Sequence, residues 1–451
     1  MTTTPQKLAA EFEESSQERV ARVASRARAA SRSLAKLPHE SRNEVLIAVA
    51  KAIETNARAI LEANARDCGD AKISVEGGRM SSAMFKRLQV NGRGIEEMAE
   101  RVRDVVRLAD PLGRRLAATE LDDGLVLYKE SCPLGVVGII FEARPEVIPQ
   151  VASLTLKSGN AVIFKGGVQA AHTNEALVSI WRECLEKFPA VPADSIQLLQ
   201  TRADVAELLK LNHDVDLMIP RGSRELVEYV MEHSRIPVLG HGEGICHVYV
   251  DRAADIEKAL AVTLDSKTEY PAVCNAAETL LVHRDIAPSF LPKAFAKLRG
   301  AGVEVRGCPR TIALLATPEV VPATEKDWAT EYGDLILSVK IVSNVDEAIA
   351  HVNRYGTRHT ETIVTEDAEA AKKFMDEVDA AGVFQNASTR FSDGFRYGFG
   401  AEIGISNGKL HARGPVGLDG LTTYKYKLYG NGHTVADYST GVKHFKHRPL
   451  Q

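Results

Sequence analysis

Cys274 lies in Tyr270-Pro271-Ala272-Val273-Cys274-Asn275-Ala276, a run of mostly small residues just ahead of the apolar stretch Thr279-Leu280-Leu281-Val282. A thiolate in such a loop can attack a carbonyl or an acyl phosphate. Small neighbours admit the substrate, and adjacent main-chain N–H groups can face the oxyanion. The competing reading is a buried, inert thiol, since unpaired cysteines are among the most buried residues. Two further segments combine glycine with a cation after an apolar run: Lys165-Gly166-Gly167 after Ala161-Val162-Ile163-Phe164, and Arg221-Gly222-Ser223 after residues 216–220. Glycine lets a phosphate approach the backbone closely, and Ser223 can cap a helix whose N-terminus attracts anions. Each segment also reads as an ordinary loop. The chain carries neither G-x-G-x-x-G nor G-x-x-x-x-G-K-[ST], so a dinucleotide must be held by other means.

The composition bounds what these residues can serve. The chain has 451 residues, 45% hydrophobic and 26% charged, with a formal net charge of −4. That is enough for two or three domains with cores, and it offers no basic surplus for nucleic acid. The six cysteines, at 68, 132, 184, 246, 274 and 308, form no C-x-x-C pair and no zinc-finger spacing, so we expect no metal site and a reducing, cytoplasmic setting. The apolar run 133–141 is far shorter than the roughly 20 residues a membrane helix needs. Arg19, Arg22, Arg26, Arg28 and Arg32 suggest a transit peptide, but Glu11, Glu13, Glu14 and Glu18 lie among them, and the segment reads as a solvated helix.

The elements that must position these residues alternate. Leu46, Val49, Ile53 and Ile60 recur at helical spacing, with Ser41 and Glu44 as a capping box, which predicts one long helix over 41–67. Short β-branched runs at 136–141, 161–164, 216–219, 247–250, 279–282, 335–342, 362–364 and 383–385 predict βαβ units and two largely parallel sheets. Around the turn signal Asp122-Asp123-Gly124, residues 121–130 predict a projecting hairpin. Tyr424-Lys425-Tyr426-Lys427-Leu428-Tyr429 alternates in the same way, so the two pieces can pair or cover a neighbouring subunit. The sequence contains no internal repeat and no low-complexity segment.

Ser158-Gly159-Asn160-Ala161-Val162-Ile163-Phe164-Lys165 resembles the glycine-asparagine, strand, lysine element of the aldehyde dehydrogenase superfamily. Phe141-Glu142-Ala143-Arg144-Pro145-Glu146-Val147, Ile219-Pro220-Arg221-Gly222, the Cys274 loop and His411-Ala412-Arg413-Gly414-Pro415-Val416-Gly417-Leu418 are similar to its phosphorylating glutamate-5-semialdehyde dehydrogenases. The resemblance runs from about Ala27 to Tyr429. It implies Cys274 as nucleophile and an α/β fold of two parallel-sheet αβα domains with a small β-ribbon oligomerisation element. The cofactor domain would take residues 1–117 and 134–247, the ribbon 118–133 and the catalytic domain 248–405. Residues 406–451 would return to the cofactor domain and form an oligomerisation tail. The implied reaction is NADPH-dependent reduction of L-glutamyl 5-phosphate to L-glutamate 5-semialdehyde, on the way to proline. A homodimer or homotetramer and a transient contact with glutamate 5-kinase are implied as well.

Departures from the hydrolytic relatives sharpen this reading. Their water-activating glutamate falls near Gly240; Glu243 is close but out of register. Their oxyanion asparagine aligns with Ala143, which leaves that task to the Cys274 N–H or the Asn275 side chain. An acyl-phosphate reductase needs no hydrolytic base. Arg144 and Arg221 are candidates for gripping phosphate or carboxylate and for favouring the thiolate, against a surface ion-pair reading. By resemblance Glu331 holds the nicotinamide ribose, and Lys165 reaches the adenosine ribose, where a cation favours NADP. The alternatives are reduction of another acyl phosphate or acyl-CoA, and a non-catalytic dinucleotide-binding relative.

Overall fold

The computed structural model of the chain describes residues 14–78, 80–240 and 242–450. By its contacts the chain divides into two units, residues 1–102, 133–222 and 229–238 in the first, and 103–132, 223–228 and 239–451 in the second.

The first unit is built on a parallel sheet in the order Ile196–Leu199, Ala161–Gly166, Val136–Phe141, Leu217–Arg221. Every residue of the two central strands is buried, which is why they read as continuous apolar runs rather than alternating ones. The Gly-Asn pair ahead of the second strand has a structural cause. Gly159 takes φ 72° after helix Val147–Lys157, and Asn160 turns its Oδ1 to accept the Gly135 N–H at 2.7 Å. Strand order reverses direction beside Val136–Phe141, which makes the carboxyl ends of this strand and of Leu217–Arg221 the switch point where such sheets usually take a ligand.

Two helix expectations are corrected. Residues 41–67 do not form one helix but belong to two, His39–Thr55 and Ala57–Glu76. Asn56 separates them: its φ of −96° and ψ of 18° leave the helical range, and its Nδ2 donates to the Ala52 carbonyl at 2.8 Å. Pro38, with φ fixed near −59°, stands at the first N-terminus, so the Ser41–Glu44 box does not form. A capping box forms instead at Ser15 and Glu18, heading the arginine-rich helix Ser16–Leu34. That helix is solvated on one side only, since Val20, Val23, Ala24, Ala27 and Leu34 are buried.

The second unit holds a seven-stranded parallel sheet in the order Val321–Pro322, Glu304–Gly307, Ile336–Val342, Ala277–His283, Cys246–Val250, Thr360–Val364, Gly382–Gln385. Its core gathers Val248, Leu280, Phe290, Leu337 and Val339 on one face and Tyr249, Leu281, Ile363 and Phe374 on the other. The predicted hairpin is present as antiparallel strands Arg115–Asp122 and Leu125–Pro133. Strand Thr422–Tyr429 pairs with the second of these, as its alternation suggested, and Arg448–Leu450 adds to the first. Among the described residues no helix is long and apolar enough to cross a membrane.

Candidate active site

In the second unit, helix Ile256–Thr268 ends and the chain turns through residues 270–276 before entering strand Ala277–His283. Cys274 is half-buried on this turn. Its carbonyl accepts from the Cys246 thiol at 3.2 Å. Gly244 backs the turn: a Cβ there would lie 2.0 Å from the Cys274 carbonyl oxygen and 2.5 Å from its Cα, so no other residue fits without moving Cys274.

His359, fully buried just ahead of strand Thr360–Val364, sets Nε2 3.2 Å from Cys274 Sγ. Its Nδ1 lies 2.9 Å from Thr360 Oγ1 and 3.6 Å from Cys246 Sγ. With Nδ1 protonated and donating to Thr360, Nε2 is the acceptor for the Cys274 thiol proton. Cys246 is a poor competitor for that base, because complete burial, followed by the nearby carboxylate of Glu361, pushes its thiol far above the ordinary range.

Asn275 is 5% exposed, and its Nδ2 donates to the Ser392 carbonyl at 2.8 Å. One amide N–H is therefore committed to holding the turn. Glu331 is half-buried; burial raises its pKa, against the pull of the Gly244 N–H bonded to its carboxylate. Ser223 accepts the Leu226 N–H at 3.4 Å at the start of helix Arg224–His233. Glu243, the out-of-register carboxylate, is held by Arg224 at 2.6 Å.

In the first unit, Arg144, Lys165, Gly166, Arg221 and Gly222 lie at the carboxyl ends of adjacent strands or in the loops that leave them. Glu142 N–H bonds to the Arg221 carbonyl at 3.1 Å, which ties together the two strand ends at the switch point. Lys165 is 6% exposed and donates to the Gly166 carbonyl at 2.7 Å; burial lowers its pKa, partly offset by Asp204. Gly166 also serves packing, since a Cβ would meet Asn174 Nδ2 at 2.1 Å. Ala143 packs in an apolar cluster with Ala71, Met80, Leu88 and Ala170. The segment 411–418 lines a cavity of about 540 Å³ in the second unit together with Arg114 and Phe399, and Cys274 is not part of that lining.

The sequence reading missed His359, Cys246 and Gly244. His359 stands 85 residues from Cys274, and no local spacing marks it. Among the described residues no group of three or more His, Cys, Asp or Glu side chains is arranged to hold a metal ion.

Residues 2–306 match the aldehyde dehydrogenase family. Over 424 residues, 94% of this chain and 92% of the relative, the chain is 55% identical to a gamma-glutamyl phosphate reductase of Synechococcus sp. (strain JA-3-3Ab). It is 51% identical to the gamma-glutamyl phosphate reductase of Pelotomaculum thermopropionicum, over 95% of this chain and 97% of that one. The crystal structure of gamma-glutamyl phosphate reductase from Thermotoga maritima superposes with a TM-score of 0.88 at 43% identity, covering 92% of this chain and 99% of that chain. The chain thus belongs to the aldehyde dehydrogenase family and, within it, to the gamma-glutamyl phosphate reductases.

Proposed function

We propose that this protein reduces L-glutamyl 5-phosphate to L-glutamate 5-semialdehyde with NADPH, releasing phosphate, as the second step from glutamate to proline. The observation that carries the mechanism is the Cys274 Sγ to His359 Nε2 contact of 3.2 Å on a turn fixed by Gly244. A free thiol is only a few per cent ionised near neutrality, so a base in hydrogen-bond reach supplies the thiolate. Cys274 attacks the acyl carbon; a C–S bond forms and the C–O bond to phosphate breaks, leaving a thioester on Cys274. The thiol proton taken by His359 balances the one with which phosphate departs as hydrogen phosphate. NADPH, when bound, supplies the hydride that reduces this thioester. The thiohemiacetal oxyanion then collapses to the aldehyde and the Cys274 thiolate. The Cys274 N–H and the second amide N–H of Asn275 are the donors we assign to the oxyanion. Gly240 has no side chain with which to activate water, so the thioester persists until hydride arrives.

The dinucleotide is assigned to the carboxyl ends of the first unit's strands on the chemistry of the residues there. Lys165 supplies a cation suited to a 2′-phosphate, and Gly166 and Gly222 suit the pyrophosphate; Ser223, the helix cap that follows in the chain, is assigned to the same group. Glu331, a partly buried carboxylate, suits the nicotinamide ribose hydroxyls. Arg144 and Arg221 are assigned to the substrate's phosphate and carboxylate. Six cysteines without a disulfide accord with a cytoplasmic enzyme. Exposed Tyr424, Tyr426, Leu428 and Tyr429 on the ribbon sheet accord with a homodimer or homotetramer. A transient contact with glutamate 5-kinase belongs to the same reading, because an acyl phosphate is short-lived in water.

Oxidation of the semialdehyde is the test. NADP reduction is expected to depend on inorganic phosphate or arsenate and to be faster with NADP than with NAD. Dependence on coenzyme A instead of phosphate would assign the chain to acyl-CoA reduction, and rapid turnover with neither would place it with the hydrolytic enzymes.

A further inference from the structure

Two charged side chains of the second unit are wholly out of contact with solvent and take no part in the steps above. Lys267, one residue before the end of helix Ile256–Thr268, places Nζ 2.6 Å from Oε2 of Glu278, the second residue of strand Ala277–His283. Both side chains are 0% exposed. Burying two charges is costly, and a well-packed apolar pair of similar volume often gives equal or greater stability. Stability alone is therefore a poor account of this pair. Its place in the chain is a better one.

Residues 268–277, which lie between the partners, include the turn 270–276 that carries Cys274, so the ion pair closes the base of that turn. The other carboxylate oxygen, Oε1, accepts the Gly333 N–H at 3.2 Å, two residues beyond Glu331. The Gly244 N–H opposes the rise in the Glu331 pKa and so neighbours its carboxylate, and Gly244 is the residue whose missing Cβ makes room for the Cys274 carbonyl. The contacts run from Lys267 through Glu278 to Gly333, two residues from Glu331, whose carboxylate neighbours Gly244 at the back of the Cys274 turn. Burial raises the pKa of the Glu278 carboxyl and lowers that of the Lys267 ammonium, and in each case the partner's charge and their hydrogen bond oppose the shift.

We propose that Lys267 and Glu278 are positioning residues for hydride transfer: their buried contact holds the Cys274 turn and the Glu331 segment in one fixed register, so that the acyl group on sulfur and the ribose held by Glu331 are presented together. This rests on the roles given above to Cys274 and Glu331.

A double variant, Lys267→Met with Glu278→Gln, removes the ion pair while Gln keeps an acceptor for the Gly333 N–H and Met keeps most of the stem's volume. The double variant is expected to fold, with kcat lowered at least about tenfold. Its Kd for NADPH, read by fluorescence titration without substrate, should rise at least about fivefold. Glu278→Asp keeps the charge but withdraws the carboxylate by one methylene, and it should shift both quantities in the same direction. A purely structural pair would lower the melting temperature and leave kcat and Kd within about twofold of wild type, which overturns the proposal. Should the double variant fail to fold, Glu278→Asp decides on the same two readouts. The NADPH titration needs no acyl phosphate, so a wild-type enzyme that turned out to act on another acyl substrate would refute the assigned reaction and still leave this comparison decisive.

Discussion

At the scale of single residues, the chemistry comes down to how a thiol becomes a thiolate and how one cofactor is preferred over another. His359 sits on the thiol with its other nitrogen engaged by Thr360, an arrangement that holds the ring's orientation and, with Nδ1 protonated, leaves Nε2 to accept the thiol proton. His359→Ala should lower kcat/KM by about 10² to 10⁴, the usual worth of a positioned base, and slow alkylation of Cys274 by iodoacetamide at neutral pH. Alkylation should recover at high pH, where solvent removes the proton; an alkylation profile unchanged from wild type would remove His359 from this role. Lys165, with one hydrogen bond to the neighbouring carbonyl and a charge disfavoured by burial, stands to gain from an anionic partner. Losing a charge-assisted contact costs about 1.5–3 kcal/mol, so Lys165→Ala should raise KM for NADPH more than about tenfold and KM for NADH less. Equal weakening for both cofactors would leave NADP preference to other residues. Cys274 was legible in the sequence because the small residues around it are adjacent in the chain. His359 was not, because the strand order of the sheet, rather than any spacing, brings it to the thiol.

At the scale of elements, burial on both faces made most strands readable. Val136–Phe141, Ala161–Gly166 and Cys246–Val250 are buried along their length, and their apolar runs fall at the predicted places. The strands Ile196–Leu199 and Glu304–Gly307 escaped notice because four residues containing Gln197, or Glu304 and Arg306, carry too little apolar pattern. The helix break at Asn56 escaped for a different reason, since the apolar period continues across it from Ile53 to Ile60. Helix Val345–Tyr355 carries an element-level liability. Its His351 is packed among Trp328, Tyr355 and His247, with Lys340 Nζ 3.1 Å from its Nδ1. Burial first, then the neighbouring His247 and Lys340, push its pKa down to about 2. Folded His351 therefore stays neutral where the unfolded chain, with an ordinary pKa near 6.5, takes up a proton. Its contribution to stability is complete above about pH 6.5 and is lost as pH falls towards 2, at a slope of up to about 1.4 kcal/mol per pH unit. Urea unfolding of His351→Phe between pH 7 and 4 should show a shallower loss of stability than wild type, and parallel slopes would contradict the assignment.

At the scale of the whole molecule, the chain joins two tasks carried by two units. One offers a parallel sheet with a switch point in its strand order; the other holds the Cys274 turn, His359 against its thiol and the partly buried carboxylate of Glu331. The ribbon and tail, predicted from their alternation, lie in one sheet, and the last strand Arg448–Leu450 had no signal beyond three residues. The central claim is a covalent thioester on Cys274 that water does not discharge. Mixing the enzyme with glutamate 5-semialdehyde and excess NADP in phosphate-free buffer, and following NADPH at its absorbance, tests it most directly. The account predicts a burst of about one NADPH per chain, then a stall, with turnover resuming when phosphate is added and no burst from Cys274→Ala. Sustained NADPH production without phosphate, or an undiminished burst from Cys274→Ala, would contradict it.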